Sequence, residues 1–405
     1  MMPALVPDAV RRNPFPLYAQ LRRFTPVVHV PGRDFYLLFD HADVRRAVTD
    51  EDTFSSAAVP PGGRAPEWLL FMDPPRHTRL RAIAMKAFPR GSLAAFEPRL
   101  RRFSAHILDE SLPRGRMDLF SDYAALLPAM AIAELLGMPL LELPRLQRWS
   151  DAIANLSQVL AGGERAQAAA RSHAQARLEM REYLESRLAQ RSGEQDEGIL
   201  TRMSRAEIDG TCLSVEEQLG FFELLLSAGT ETAAGLIASA VVCLLDHPGE
   251  LTRLRQAPTL LPSAIEEVLR FRSPAQMVFR QTTRAVRLHR TLIPANRLVL
   301  PVIGSANRDA TAFEAPDRFD IARTPNDHLA FGHGIHFCLG AALARMQARV
   351  ALEDLLGRLH GLRAASKRPW KPREALHLHG PSSLPIEFDV MGRREAKAID
   401  TDEHR

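Results

Sequence analysis

Residues 330–345 read AFGHGIHFCLGAALAR, and the placing of Cys338 within them governs how the rest of the chain is read. The cysteine stands among Gly332, Gly334 and Gly340, at the onset of an apolar pattern of helical spacing that continues through ARMQARVALEDLL. Unpaired N–H groups and the macrodipole at a helix start favour negative charge, and so favour a thiolate. Glycines at this density let the backbone take positive φ or wrap closely around a flat ligand. His328, His333, His336 and Cys338 are all competent zinc ligands, but their spacing matches no finger, ribbon or metalloprotease pattern, and no second cluster completes one.

Composition narrows the reading. The 405 residues are 46% hydrophobic and 25% charged, a globular balance with material for a large core. Fifty-two basic against 48 acidic residues leave a formal charge of +4, interleaved rather than clustered, which argues against a nucleic-acid track. Three scattered cysteines, Cys212, Cys243 and Cys338, build no disulfide framework and suit a reducing compartment. The opening MMPALVPDAVRRNPFP has early prolines and no apolar run of signal or anchor length, so a cytoplasmic protein is expected.

Apolar residues recur at helical intervals through PFPLYAQLRRF, DHADVRRAVTD, RHTRLRAIAMKAF, SLAAFEPRLRRFSAHILDESL and DLFSDYAALLPAMAIAELLG. Strand signals are confined to VVHVPGRDFYLLF, VRLHRTLIPANRLVLPVI and LHLHGPSSLPIEFDV, which are expected to meet in one small sheet beside a helical body. With no linker or repeat, residues 1–405 read as one unit, mainly α with a small β lobe. Residues 55–68 and 192–198 read as loops and 392–405 as a frayed tail.

The longest helical run, Ser214 to Asp246, opens on a capping-box pattern, Ser214 with Glu217, and would span about 50 Å. It is apolar nearly all round, but Glu231 in mid-run and the absence of a second span favour a core helix over a membrane helix. Its centre carries Gly229, Glu231 and Thr232, each unfavourable there: glycine by propensity, a buried acid by desolvation, and a hydroxyl that can bond the Ala228 carbonyl. The cluster predicts a functional kink, with an acid beside a hydroxyl suited to relaying protons into a dry pocket.

Phe331-Gly332-x-Gly334-x-His336-x-Cys338-x-Gly340 resembles the haem-binding loop of the cytochrome P450 family in its soluble bacterial form, where the cysteine thiolate is the axial iron ligand. Ala228-Gly229-Thr230-Glu231-Thr232 resembles the family's oxygen-activation segment, and Glu267-Val268-Leu269-Arg270 its Glu-x-x-Arg helix. Pro316-Asp317-Arg318-Phe319 resembles the meander, and His77-x-x-x-Arg81 the helix that grips the haem propionates. The match runs from Pro14 to Val390.

The resemblance implies a haem b monooxygenase with the haem buried between the long distal helix and the cysteine-loop helix. Cys338 would be the iron ligand, and His77, Arg81, Arg280, Phe331, Gly332, His336 and Gly340 would contact the cofactor. Ala228, Gly229, Glu231 and Thr232 would serve O2 activation, and Glu267, Arg270 and Arg318 would form a buried structural network. Trp68, Leu69, Leu225, Ala228, Met277 and Val278 are candidate contacts for a small to medium, mainly apolar substrate. Residues 55–71, with the Pro60-Pro61-Gly62-Gly63 run and Arg64, would close over it.

No flavin or iron–sulfur module is visible in the sequence, so ferredoxin and a ferredoxin reductase are the expected electron donors to a monomer that binds neither nucleic acid nor membrane. Arg76, Arg79, Arg345 and Arg349 are the cations expected to meet an acidic donor. A peroxide-driven or isomerising haem-thiolate enzyme, and a non-enzymatic haem sensor, share the same loop; the Glu231-Thr232 pair argues for O2 activation.

Overall fold

The capping box is formed as its spacing predicts. In the computed structural model, Ser214 Oγ accepts from Glu217 N at 3.2 Å, and Glu217 Oε2 accepts from Ser214 N at 3.0 Å. The helix that follows runs Val215–Asp246. The structure describes residues 7–32, 34–58, 66–87, 92–190, 199–205, 207–208, 211–375 and 377–389. The loop expected at 192–198, the tail at 392–405, and the Pro60-Pro61-Gly62-Gly63 run with Arg64 lie outside them.

Among the described residues, Val215–Asp246 is the one helix long and apolar enough to cross a membrane, and 72% of its most apolar window is buried in the protein. Helices Leu126–Leu136, Leu143–Ala154 and Ala341–Arg358 pack around it. The helix is continuous through Gly229. A Cβ there would lie 2.4 Å from Ile132 Cδ1, so the glycine serves the close approach of Leu126–Leu136 rather than a break in the ladder.

The expectation of a single sheet is corrected. The first strand-rich segment and the end of the second do join, in a five-stranded sheet ordered Val27–Val30, Phe35–Leu38, Leu298–Pro301, Arg280–Thr282, Phe54–Ser55, while Val286–Leu288 and Thr291–Ile293 form a separate two-stranded sheet. Leu298–Pro301 is buried along its whole length and pairs in parallel with Phe35–Leu38, Leu298 opposite Phe35. Both its edges are thus taken, and the late strand Pro385–Asp389 pairs elsewhere, between His360–Ala364 and Arg116–Asp118. The five-stranded sheet matters to the site because it carries Arg280, buried opposite Val299.

Candidate active site

The cysteine loop folds on positive φ at Gly332 (+71°) and Gly334 (+70°), where a side chain would be strained. Cys338 N donates to Phe331 O at 2.9 Å and closes the loop, and Gly340 caps the helix Ala341–Arg358. The thiol does not behave as the helix start alone predicts. Burial raises its pKa, against the Gly340 N–H and the charges of Arg81 and Arg345. Desolvation outweighs the dipole here, and a metal bound at sulfur would reverse the balance, because coordination deprotonates a thiol.

Beside the loop, the helix Arg76–Ala87 and the strand Arg280–Thr282 bring four nitrogen-bearing side chains together. His77 and His336 lie ring to ring, 4.2 Å between centroids. Among the described residues, both His77 ring nitrogens and His336 Nε2 are buried without a hydrogen-bond partner. Burial, then repulsion from Arg280, His77 and Arg81, lowers the His336 pKa to about 3, and burial lowers Arg280 to about 10. Arg81 donates to Phe337 O at 2.7 Å. The acid felt by His77 and Arg280 is Asp73, which is already engaged by Ser55 and by Ser56 N. Donors this crowded, desolvated and short of acceptors lack an anion.

A second network fixes the loop from behind. Arg270 Nε and Nη2 donate to the two Glu267 oxygens at 2.8 Å each, and neither side chain has any exposure. Arg270 also donates to the carbonyls of Asn307, Pro316 and Arg318. Arg318 therefore contributes its backbone, while its guanidinium is 69% exposed and 3.7 Å from Asp320. The third member of the network is Arg323, whose Nε donates to both Glu267 oxygens at 3.2 and 3.1 Å. The meander is irregular, and no periodicity in the sequence distinguishes Arg318 from a cation five residues on.

Glu266, which the sequence reading passed over, spans the cysteine loop. It receives Arg345 as a two-bonded fork, 2.7 Å each, and lies 3.1 Å from His328 Nε2. These partners flank Cys338 on either side in the chain. The Glu266 pKa falls to about 2: burial opposes the fall, and the Arg345 and His328 contacts outweigh it.

On the long helix, Thr232 Oγ1 donates to Ala228 O at 2.6 Å, as expected. Leu225, Ala228 and Thr232, spaced by three and four, all keep exposure in the middle of a buried helix. That stripe leaves one face of the helix open. Glu231 is not a lone acid: it is ion-paired with Arg373, at 13% and 7% side-chain exposure, and takes a 3.4 Å contact from Ser150 Oγ. Arg373 lies 142 residues away and nothing local in the sequence announced it.

Of the candidate substrate contacts, Met277 and Val278 are half-buried, while Trp68 and Leu69 are packed into the core. Trp68 Nε1 donates to Glu223 Oε2 at 2.6 Å, so this end of the 55–71 segment is fixed to the long helix. A cavity of about 660 Å³ opens instead among Pro66, Glu67, Leu156, His173 and Glu223, lined by none of the six. The cations expected to greet a redox donor are likewise committed. Arg345 pairs with Glu266, Arg349 with Glu97 and Glu353, Arg79 with Glu217, and Arg76 with Glu67 and Glu217.

The chain is similar to known proteins over most of its length. The family model for cytochrome P450 matches residues 147–379. Over 401 residues the chain is 38% identical to cytochrome P450 107B1 of Saccharopolyspora erythraea, covering 94% of this chain and 96% of the relative. The structure of CYP109Q5 from Chondromyces apiculatus superposes with a TM-score of 0.85 at 36% identity, covering 95% and 97% of the two chains. CYP109E1 from Bacillus megaterium, in complex with testosterone, superposes with a TM-score of 0.83 at 33% identity, covering 93% and 100%.

A cysteine loop, a long core helix and a cluster of anion-seeking donors define a haem-thiolate oxygenase. The chain belongs to the cytochrome P450 family, whose members are monooxygenases that bind haem b and use O2. Its residues fit that cofactor, because the partnerless His77 and His336 nitrogens with Arg81 and Arg280 match the need of two buried carboxylates, and Cys338 offers the sulfur.

Proposed function

We propose that this chain is a cytoplasmic, monomeric monooxygenase, working as one unit on a small to medium, mainly apolar substrate and fed by a ferredoxin and its reductase. The observation that carries the reading is the set of partnerless buried nitrogens on His77 and His336 beside Arg81, Arg280 and the Cys338 loop. His77, Arg81, Arg280 and His336 hold the propionates, Phe331, Gly332 and Gly340 shape the loop around the ring, and Cys338 is the iron ligand. When bound, thiolate-ligated haem supplies the O2 chemistry that puts one oxygen atom into substrate.

The protein's own part is positioning and proton supply. Thr232 holds a hydroxyl on the open face of the long helix, anchored to Ala228 O, and Glu231 beside it is the proton donor. Glu267, Arg270 and Arg323 keep the meander and the loop in register. Leu225, Ala228, Met277 and Val278 offer apolar walls, and the relative that binds testosterone supports a substrate of about that size and polarity. The test is a panel of terpenoid, steroid and fatty-acid compounds scored by displacement of iron-bound water in the visible spectrum. A panel that produces neither a spectral shift nor an oxygenated product with ferredoxin, reductase and O2 refutes the substrate class.

A further inference from the structure

The cavity of about 660 Å³ lies between two facing stripes of side chains, and its volume is that of a site for a drug-sized molecule. Glu216 and Glu223, seven residues apart on Val215–Asp246, share one face of the long helix. His173, Arg177 and Arg181, spaced by four on the helix Gly163–Gln190, form the other stripe. Arg177 Nε donates to Glu223 Oε1 at 2.8 Å and its Nη2 to Glu216 Oε2 at 3.0 Å, and Arg181 pairs with Glu216 as well. Pro66, Leu156 and Ala174 supply apolar wall, and Glu67, paired with Arg76 at 2.7 Å, completes it. The space is separate from the open face of the long helix. Glu216 and Leu225, and likewise Glu223 and Thr232, are nine residues apart on one continuous helix. At about 3.6 residues per turn that is about two and a half turns, which sets the cavity on the opposite face from Leu225, Ala228 and Thr232.

The charges of the wall cancel. Glu216 and Glu223 are balanced by Arg177 and Arg181, and Glu67 by Arg76, so the site has no net charge to offer an ion. Its hydrogen-bonding capacity does not cancel. A guanidinium carries five N–H groups, and Arg177 and Arg181 spend theirs only in part on these acids. Glu216 and Glu223 have both oxygens engaged, the second oxygen of Glu223 by Trp68 Nε1 at 2.6 Å. Among the described residues, His173 Nε2 is buried without a hydrogen-bond partner. Burial lowers the His173 pKa against the pull of Glu223, with a further push from Arg177, so the ring is uncharged near neutral pH. Donors are in surplus here and acceptors are taken.

We propose that this cavity is a second ligand site, separate from the haem pocket, for a neutral and mainly apolar molecule that carries acceptor oxygens, such as a ketone or an ester. Pro66, Leu156, Ala174 and the aliphatic stems of the arginines take its body. Arg177, Arg181 and His173, with the one ring proton on Nε2, donate to its oxygens, and no charge is left unpaired. A carboxylate is disfavoured, because it would give up its hydration with no net positive charge to meet it.

The experiment uses the haem-loaded enzyme with phenylimidazole on the iron, so that the haem pocket is filled, and progesterone as the neutral probe. The indole N–H resonance of Trp68, assigned by its loss in Trp68→Phe, is expected to shift and saturate with progesterone, because that N–H is bonded to a carboxylate of the cavity wall. Ala174→Trp, which fills the cavity from an exposed helical position, is expected to abolish the shift with phenylimidazole affinity unchanged. His173→Leu leaves the cavity open and is expected to weaken progesterone by about fivefold, the loss of one neutral hydrogen bond. A steroid carboxylate of the same ring system is expected to bind about tenfold more weakly than progesterone. No shift in the wild type at the solubility limit of progesterone, or a shift that Ala174→Trp leaves intact, overturns the site. Carboxylate binding as tight as that of progesterone, or wild-type affinity in His173→Leu, overturns the ligand class.

Discussion

Glu266→Gln removes one charge from the clasp that spans the cysteine loop and keeps its shape. The wild-type carboxyl is lowered from 4.5 to about 2, with burial opposing and the Arg345 fork and His328 outweighing it. At about 1.4 kcal/mol per pKa unit, a shift of that size corresponds to about 3 kcal/mol of stability. The folded pKa is the lower one, so the contribution is complete above the ordinary value of 4.5 and is lost as pH falls towards about 2. For a chain of this length, at about 2 cal/mol/K of unfolding entropy per residue, the loss amounts to a fall in Tm of about 4 °C. The assay is thermal loss of the Soret band at pH 7 and again at pH 3.5 for the wild type, Glu266→Gln, Arg345→Gln and the double variant. The gap between wild type and Glu266→Gln is expected to narrow at the lower pH, and the double variant to lose much less than the two single losses combined. Equal Tm at pH 7, or strict additivity, refutes the clasp.

The remaining predictions are shorter. Cys338→His is expected to abolish the red-shifted Soret band of the reduced carbon monoxide complex; survival of that band removes the ligand assignment. Thr232→Ala is expected to retain haem and substrate but divert reducing equivalents to peroxide, while Glu231→Gln slows O2 consumption; coupled, wild-type turnover in both removes the relay. Gly229→Ala gains about 1 kcal/mol of helix propensity and meets Ile132, at an overpacking cost of about 1–3 kcal/mol. A second change, Ile132→Val, is expected to relieve part of that cost, and denaturant midpoints that ignore the pairing contradict the close-approach reading.

How much of this could be read from the sequence depended on distance along the chain. The capping box, the glycine-dependent cysteine loop and the Thr232 bond to Ala228 O rest on neighbours within four residues or on a motif, and the structure holds them where they were expected. Arg373 on Glu231 and Arg345 on Glu266 join residues 142 and 79 apart, and no periodicity carries such a pairing. Arg318 and Arg323 sit in an irregular segment where the backbone path decides which side chain turns inward. Gly229 was visible as an anomaly, but its cause, the proximity of Ile132, is tertiary. The division of the strands into separate sheets escaped for the same reason, since alternation marks a strand without naming the edge it will join.

The committed cations bear on how an electron donor would approach. Arg76, Arg79, Arg345 and Arg349 are 47%, 32%, 39% and 31% exposed, yet each holds an intramolecular carboxylate. A docking acid must compete with Glu67, Glu217, Glu266, Glu97 or Glu353 for charge already neutralised, so this face attracts a donor less than four free arginines would. Reversing Arg345 also breaks the Glu266 clasp, and a lower rate in that variant would report a loosened cysteine loop as readily as lost docking. Arg76 separates the two effects: it pairs with Glu67 and Glu217 and not with the Glu266 clasp, and Arg79 still holds Glu217 in its absence. Arg76→Glu is expected to raise the ferredoxin concentration needed for half-maximal turnover by about threefold at low salt, with peroxide-driven turnover unchanged and the difference fading as salt screens the surface. A change that persists at high salt, or that appears equally with peroxide, places the effect in the fold and takes Arg76 out of the docking surface.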